Sequence, residues 1–343
     1  MHLPVGKLSA DHMAELLANL PQAPGVVVGP GIGHDVAVLD LGHDDLLLAK
    51  TDPITFATDE IGYYAVAVNG NDIATSGGEP HWFLVTLLLP ESSSTRALVD
   101  DIFTQIRAAC ASLGVSLVGG HTEVTYGLDR PLVVGQMLGS VRRDRLVRPD
   151  GLQPGDAILL TKGFPVEGVS LIARECRNEL IARGYKAAYL DHCATFLHDP
   201  GLMVLPEARA IGAVVRPHAM HDPTEGGLAT GLWEMAQAAN VGLRIAAERL
   251  PVLPEAETLC GELGLDPLGL IASGSLLVGV AAADAEEAIA ACQAAGIPCS
   301  RIGEATPPDE GVVLVRDGLA EPMPRFDQDE VTRLFATQSA DGD

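Results

Sequence analysis

Aromatic side chains are scarce in this sequence: Phe, Tyr and Trp together make up 4% of 343 residues. The core must therefore be built from Ala, Val, Leu and Ile, because apolar residues still reach 47%. That apolar fraction, beside only 20% charged residues, excludes global disorder. Basic residues are few, 22 Lys and Arg against 46 Asp and Glu, giving a net charge of −24. A surface of that sign repels phosphate backbones and argues against a nucleic-acid partner. It does not argue against a nucleotide, whose charge metal ions and a few local groups can neutralise. The six cysteines (110, 176, 193, 260, 292, 299) contain no CxxC pair and no regular spacing. They read as reduced core residues rather than a disulfide or zinc framework. The histidines likewise offer no HxH or HxxxH zinc pair. No apolar run reaches the roughly 18–20 residues that cross a bilayer. Pro4 and Gly6 interrupt the N-terminus, so no secretory signal is visible. The expectation is a soluble, cytoplasmic protein with no membrane partner.

What is present points to a large, turn-rich α+β protein. The length exceeds the roughly 250–300 residues at which one core stops growing, so two domains are expected. Thirty-seven glycines and 23 prolines imply many tight turns. Ser9 can cap a helix carrying Met13, Leu16, Leu17 and Leu20 on one face. Val36–Leu39, Leu46–Ala49 and Phe83–Leu89 read as strands. Ser92–Ser94 then caps a helix whose inner stripe is Ile102, Ile106, Ala109, Cys110 and Leu113, with Gly114 as its stop. Strands Val115–Val118 and Leu132–Val141 follow, separated by a turn region. Residues 142–155 lack any period and mark a boundary between a domain at 1–150 and one at 151–343. Beyond it, Ala157–Thr161 and Leu276–Ala282 read as strands, and Val169–Arg183 and Glu225–Asn240 as helices. Asp284 and Glu287 have the spacing of a capping box, and Gln328–Phe335 reads as a short closing helix.

Acidic turns carry the chemistry. They are Gly31-Ile32-Gly33-His34-Asp35, Thr51-Asp52-Pro53, Asn69-Gly70-Asn71-Asp72 and His221-Asp222-Pro223-Thr224-Glu225-Gly226-Gly227. A fifth turn, Gly119-Gly120-His121-Thr122, places a histidine among small residues. Carboxylates gathered at loop ends hold hard cations, and Mg²⁺ normally brings phosphates with it. Each turn also has a plainer reading. The first lacks the Lys-Ser/Thr of a Walker loop and is also an ordinary glycine turn. Asp52 beside Pro53 is also common turn chemistry. Asp72 can cap a following helix as readily as bind a cation. Gly119 and Gly120 can form a phosphate-binding nest or a hairpin turn with an exposed histidine. Thr224 can cap the helix that Asp222 precedes.

The order of these motifs resembles the aminoimidazole-ribonucleotide-synthetase-like (PurM-like) superfamily of ATP-dependent enzymes. Gly31 to Val38 is similar to its GIGDDAAV turn. Thr51-Asp52, Asn69 to Pro80, Gly119 to Thr122 and Asp222 to Leu228 are similar to its TD, NDxAxxGxxP, GGDT/GGHT and DxTxGGL signatures. Gly155-Asp156 resembles the PGD that opens the second domain, and Ala272 to Leu277 its late SSGxLL segment. The resemblance implies a two-domain α+β fold and a homodimer whose N-terminal domains share a barrel-like sheet. It implies ATP and Mg²⁺ as cofactors and phosphoryl transfer to an amide, carbamoyl or carboxyl oxygen. On this reading Asp35, Asp52, Asp72 and Asp222 hold metal, with Asn69 assisting. Gly119, Gly120 and Thr122 cradle phosphate, His121 contacts the transferring group, His121 and Asp72 are the catalytic residues, and Lys50 neutralises charge.

Within the superfamily the chain looks most like the HypE branch of hydrogenase maturation, which implies a maturation partner protein. That branch carries a carbamoyl group on a C-terminal cysteine, whereas the last cysteine here is Cys299 and the sequence ends Gln338-Ser-Ala-Asp-Gly-Asp343. Either another acceptor is used or the branch differs. Thiamine-monophosphate kinases are the runner-up; His34 and His121 stand where their turns carry Asp. Selenophosphate synthetases need an early Cys or selenocysteine and Lys, which Val26–His34 lacks. A non-catalytic, nucleotide-binding partner protein is the alternative of another class.

Overall fold

The computed structural model describes residues 7–8, 10–18, 20–21, 23–55, 57 and 59–334. The expected cap at Ser9 and the end of the expected helix at Phe335 lie outside them. Two compact units form. The N-terminal unit is Asp35–Leu146 together with the segment ending at Gly29. The C-terminal unit runs from Val147 onward and also includes the first helix and Pro30–His34.

In chain order the first elements are α1 (Ala10–Leu17), β1 (Val26–Val28), β2 (Ala37–Leu39), β3 (Asp45–Ile54), α2 (Ile61–Thr75), β4 (Glu79–Pro90), α3 (Arg96–Leu113), β5 (Ser116–Thr125) and β6 (Leu132–Arg142). The six strands make one sheet in the order β1-β2-β3-β6-β4-β5. Every pairing is antiparallel except β4 with β5, which are joined through α3 and run parallel. Thr95, not the earlier serines, caps α3: its Oγ1 accepts the Leu98 N–H at 3.2 Å. Gly114 ends α3 in the left-handed region at φ 70°, as its place after the apolar stripe implies.

Next come β7 (Ala157–Thr161), α4 (Val166–Glu175), α5 (Arg177–Ala182), α6 (Ala187–Ala194), α7 (Leu205–Val214), β8 (Ala219–His221), α8 (Gly227–Ala239) and β9 (Gly242–Ala246). The chain continues through α9 (Pro254–Leu263), β10 (Leu277–Val280), α10 (Ala285–Ala294), β11 (Cys299–Thr306), β12 (Val312–Arg316) and β13 (Leu319–Pro322). Seven strands form the second sheet, ordered β13-β12-β9-β11-β7-β10-β8 and antiparallel except β12 with β9. Its core packs Leu228, Leu232 and Met235 of α8 with Ile158, Leu160, Leu243, Ile245 and Leu277. Mixed sheets with helices in both units make the fold α+β. The capping box at Asp284 does not form, since its side chain accepts no cap hydrogen bond.

Three of the expected turns are regular structure. Residues 51–53 continue β3, Asn69–Asp72 lie inside α2, and Gly119–Thr122 lie inside β5. The reason is tertiary. Helix α2 is buried on nearly every side, and Asn69 is tolerated inside it because backbone groups of Asp52 and Ala65 satisfy its amide. Gly120 lies opposite Val85 at φ 148°, near a register shift in the β4–β5 pair, a place where glycine is tolerated in a strand.

Gly135 of β6 lets α2 lie close on the sheet. A Cβ at Gly135 of β6 would meet the Asn69 amide, the Phe83 ring and the Ala65 carbonyl. Gly135→Val is therefore expected to destabilise the protein by about 2–3 kcal/mol, the cost of overpacking a filled core. Urea unfolding measures this.

Candidate functional site

Strand periodicity builds the first part of the site. Leu46 and Leu48 of β3 are fully buried, and the same face continues as Lys50, Asp52 and Ile54. Helix periodicity builds the second. Ala65, Asn69 and Asp72 stand at i, i+4 and i+7, one stripe of α2. The two faces meet. Lys50 Nζ lies 3.3 Å from Asp52 Oδ2 and 3.3 Å from Asp72 Oδ2.

Asn69 holds that meeting in place. Its Oδ1 accepts the Asp52 N–H at 2.9 Å, and its Nδ2 donates to the carbonyls of Asp52 (3.3 Å) and Ala65 (2.8 Å). The fully buried amide thus clamps the strand carrying Asp52 to the helix carrying Asp72. The Thr51 hydroxyl adds a bond to the Gly135 carbonyl at 2.8 Å. Asp35, just before β2, offers a carboxylate oxygen within 4.8 Å of one from Asp72. Only 4% of the Asp72 side chain is exposed, against 34% for Asp52. The neighbouring carboxylate oxygens of Asp35 and Asp72 are ligands of the kind that hold a hard divalent cation such as Mg²⁺.

Gly119, Gly120, His121 and Thr122 are exposed along β5, the edge of the sheet. His121 Nε2 lies 2.9 Å from Glu123 Oε2 on the same strand. Within the N-terminal unit the structure thus brings Lys50, Asp52, Asp72, Asn69 and Asp35 together, and sets the β5 residues along an edge.

Asp222 belongs to the C-terminal unit, directly after β8, and is 2% exposed. Beyond it Gly226 and Gly227 take φ 81° and 66° and start α8. A Cβ on Gly227 would strike the carbonyls of Leu268 and Leu270, so only glycine lets the helix start that close. Thr224 is not its cap. Asp329, more than 100 residues later, accepts the Gly226 N–H at 2.7 Å, Val331 N–H at 2.7 Å and Ile271 N–H at 3.2 Å. Lys7 Nζ bonds Thr224 Oγ1 at 2.9 Å and Glu225 Oε2 at 3.1 Å. His221 Nε2 lies 3.0 Å from Glu234 Oε2 of α8.

Glu167, in the first turn of α4, is buried near these groups. Burial pushes its carboxyl up to about 8; the bond with Ser273 opposes this, and the charges of Glu225, Asp329 and Asp222 add to it. Burial also raises Asp329, to about 6, against the pull of its backbone N–H bonds. Glu167, Asp329 and the His221–Glu234 pair escape sequence reasoning because their partners are remote in the chain. A buried glutamate two residues after a proline leaves no periodic signal.

Models of the AIR synthase related protein match this chain at residues 33–141 (N-terminal domain) and 153–316 (C-terminal domain). The chain belongs to the AIR synthase-related family. The carbamoyl dehydratase HypE of Rhodobacter capsulatus, a relative, is 31% identical over 323 residues, covering 91% of this chain and 89% of that one. A putative hydrogenase expression/formation protein of Methanocaldococcus jannaschii is 26% identical over 341 residues, covering 95% and 98%. Among solved structures, Escherichia coli HypE superposes with TM-score 0.74 at 22% identity, covering 95% of this chain and 98% of that chain. A HypE in complex with ATP gives 0.67 at 24% (88% and 91%), and a HypE–HypF complex 0.70 at 22% (86% and 94%). This AIR synthase-related chain therefore has the family's two-domain fold and HypE-like homologues. All six cysteines are free and buried, as their irregular spacing implies. Among the described residues no helix is long and apolar enough to cross a membrane.

Two predictions follow from the charges. Lys50→Met leaves Asp72 buried without its ammonium and is expected to cost about 3 kcal/mol, the penalty for breaking a buried ion pair. Mg²⁺ should then raise the melting temperature of the variant more than that of wild type. For Glu167 the folded carboxyl holds its proton more tightly than the unfolded one. The stability this gives is complete below pH about 4.5 and lost as pH rises through about 8. The melting temperature of Glu167→Gln, relative to wild type, should therefore climb between pH 5 and pH 8.5, roughly the window between the two pKa values.

Proposed function

We propose that this chain is an ATP- and Mg²⁺-dependent enzyme of HypE-like type that phosphorylates an amide, carbamoyl or carboxyl oxygen. The observation that carries this is the convergence of Asp52 and Asp72 on Lys50, locked by Asn69. A scaffold has no need to hold two carboxylates and an ammonium at the junction of a strand and a helix. Enzymes of phosphoryl transfer do, since positioning and charge neutralisation supply most of their catalysis. The solved HypE–ATP complex, on the same fold, supports the choice of nucleotide.

On this reading Asp35, Asp52 and Asp72 hold Mg²⁺ in the N-terminal unit, and Asp222 is a metal ligand of the C-terminal unit. Mg²⁺ supplies charge neutralisation at the phosphates. Asn69 positions Asp52 through the backbone, and Lys50 balances charge among the carboxylates. Gly119, Gly120 and Thr122 contact phosphate oxygens, and His121 contacts the transferring group. The phosphorylated oxygen then leaves with its phosphate, which for a carbamoyl substrate amounts to dehydration.

A second copy of the chain is proposed to cover β5. That edge exposes Val118 and Val124, with Tyr126 just beyond it, and exposed apolar edge strands invite pairing. The HypE–HypF complex supports a maturation partner protein, and the six free cysteines support the cytoplasm as compartment.

Isothermal titration with ATP and Mg²⁺ tests the reading. Wild type should bind, and Asp72→Asn should bind at least about tenfold more weakly, the loss of one charge-assisted contact. Equal binding by both, or by neither, sinks the assignment. ATP turnover with carbamoyl, amide and thiamine phosphate acceptors then identifies the substrate, and turnover confined to thiamine phosphate favours the kinase.

A further inference from the structure

The loop from Asp222 to Gly226 joins β8 to α8, and Gly226 at its end has no side chain to cap the helix. The loop is pinned along its length instead. A Cβ on Gly231 of α8 would strike Pro223, so the proline ring lies directly on the helix. The Thr224 carbonyl accepts the N–H groups of Gly227 at 3.0 Å and Ala272 at 3.3 Å. Asp329 adds a further tie. Its Oδ2 takes the Gly226 N–H at 2.7 Å, while its Oδ1 takes those of Val331 at 2.7 Å and Ile271 at 3.2 Å. This carboxylate, only 6% exposed, bridges the Asp222 loop to the segment around Ile271.

The segment that brings Asp329 there is itself anchored. The Arg325 guanidinium lies 4.1 Å from the centre of the Trp233 ring on α8. The Phe326 ring fills the space that a Cβ on Gly269 would need. Glu330 Oε2 accepts the Asp266 N–H at 3.0 Å. A helix start alone needs no buried anion, since Ser, Thr or Asn caps as well as Asp. Burial, with the charge of Glu225 beside it, raises Asp329 to about 6, so the ionised form is kept at a cost. What a carboxylate offers beyond a cap is a second acceptor oxygen. Here the two oxygens join two different loops.

We propose that Asp329 is a positioning residue, holding the loop from Asp222 to Gly226 so that the Asp222 carboxylate keeps the place of a metal ligand. The proposal rests on the reading of Asp222 as a metal ligand. Asp222 is 2% exposed, so the loop backbone rather than solvent sets where its carboxylate lies. The ring of Pro223 fixes φ directly after it, which leaves little slack between Asp222 and the tie at Gly226. Groups behind a metal ligand act by holding it in orientation, and losing one weakens the metal about 10–100-fold.

The test compares the full-length wild type with Asp329→Asn, Asp222→Asn and Leu180→Ala, the last a truncation of a buried side chain in α5. Without nucleotide, hydrogen exchange at Gly226 and Ile271 should be faster in Asp329→Asn. Calorimetric titration with ATP over a range of Mg²⁺ should show a Mg²⁺ midpoint about tenfold higher in that variant. Excess Mg²⁺ should restore its binding but not that of Asp222→Asn. Leu180→Ala should lower the melting temperature and keep the wild-type midpoint. A wild-type midpoint in folded Asp329→Asn makes Asp329 a plain helix cap and overturns the proposal. Unchanged exchange at Gly226, or an equal midpoint shift in Leu180→Ala, overturns it too. If wild type binds no ATP, or Asp222→Asn matches it, the reading of Asp222 fails first and the proposal falls with it. Should Asp329→Asn not fold, wild type decides: ATP with Mg²⁺ should slow exchange at Gly226 and Ile271, and no slowing overturns the proposal.

Discussion

The N-terminal unit depends on one buried amide. Asn69 is fully enclosed, and both ends of its side chain are committed to backbone, at Asp52 on the strand and Ala65 one turn back on its own helix. A buried amide is tolerated only when satisfied, and here the partners that satisfy it also join the two elements carrying carboxylates. Lys50 then has a defined place between Asp52 and Asp72. Without it, the buried Asp72 carboxylate would lose that ammonium. Gly135 adds to this by leaving out a Cβ that would strike the Asn69 amide and the Ala65 carbonyl of α2.

The C-terminal unit solves a related problem differently. Its longest described helix, α8, begins on two glycines in the left-handed region and has no side-chain cap of its own. Asp329 supplies the acceptor from the far end of the chain, and its two oxygens serve three backbone N–H groups. Burial raises Asp329 to about 6, and its three backbone N–H bonds offset only part of that rise. Glu167 has only weak compensation of this kind, and burial dominates it.

Much of the fold was legible because apolar periodicity is local. The stripe of α3 at Ile102, Ile106, Ala109 and Cys110 is buried as its spacing implies, and Ala157–Thr161 is the strand β7. The errors share a cause. Residues 51–53, 69–72 and 119–122 carry turn-like composition, yet tertiary burial or strand pairing holds them in regular structure. Turn propensity is a weak local preference, and a packed sheet overrides it. The long helix expected at Val169–Arg183 starts earlier, at Val166, and breaks at Cys176 into α4 and α5.

The sequence by itself determined the family, because ordered motifs survive in a string of letters whatever their conformation. It also determined the α+β class, the reduced state of the cysteines and the identity of Lys50, Asn69, Asp52 and Asp72 as residues of interest. Only the tertiary structure decided what they do to one another. Strand parity and helix stripe each put polar residues on an inward face. Which polar face meets which depends on packing between elements that lie a dozen or more residues apart. The cap from Asp329 and the His221–Glu234 pair were decided in the same way, by contacts that no local pattern encodes.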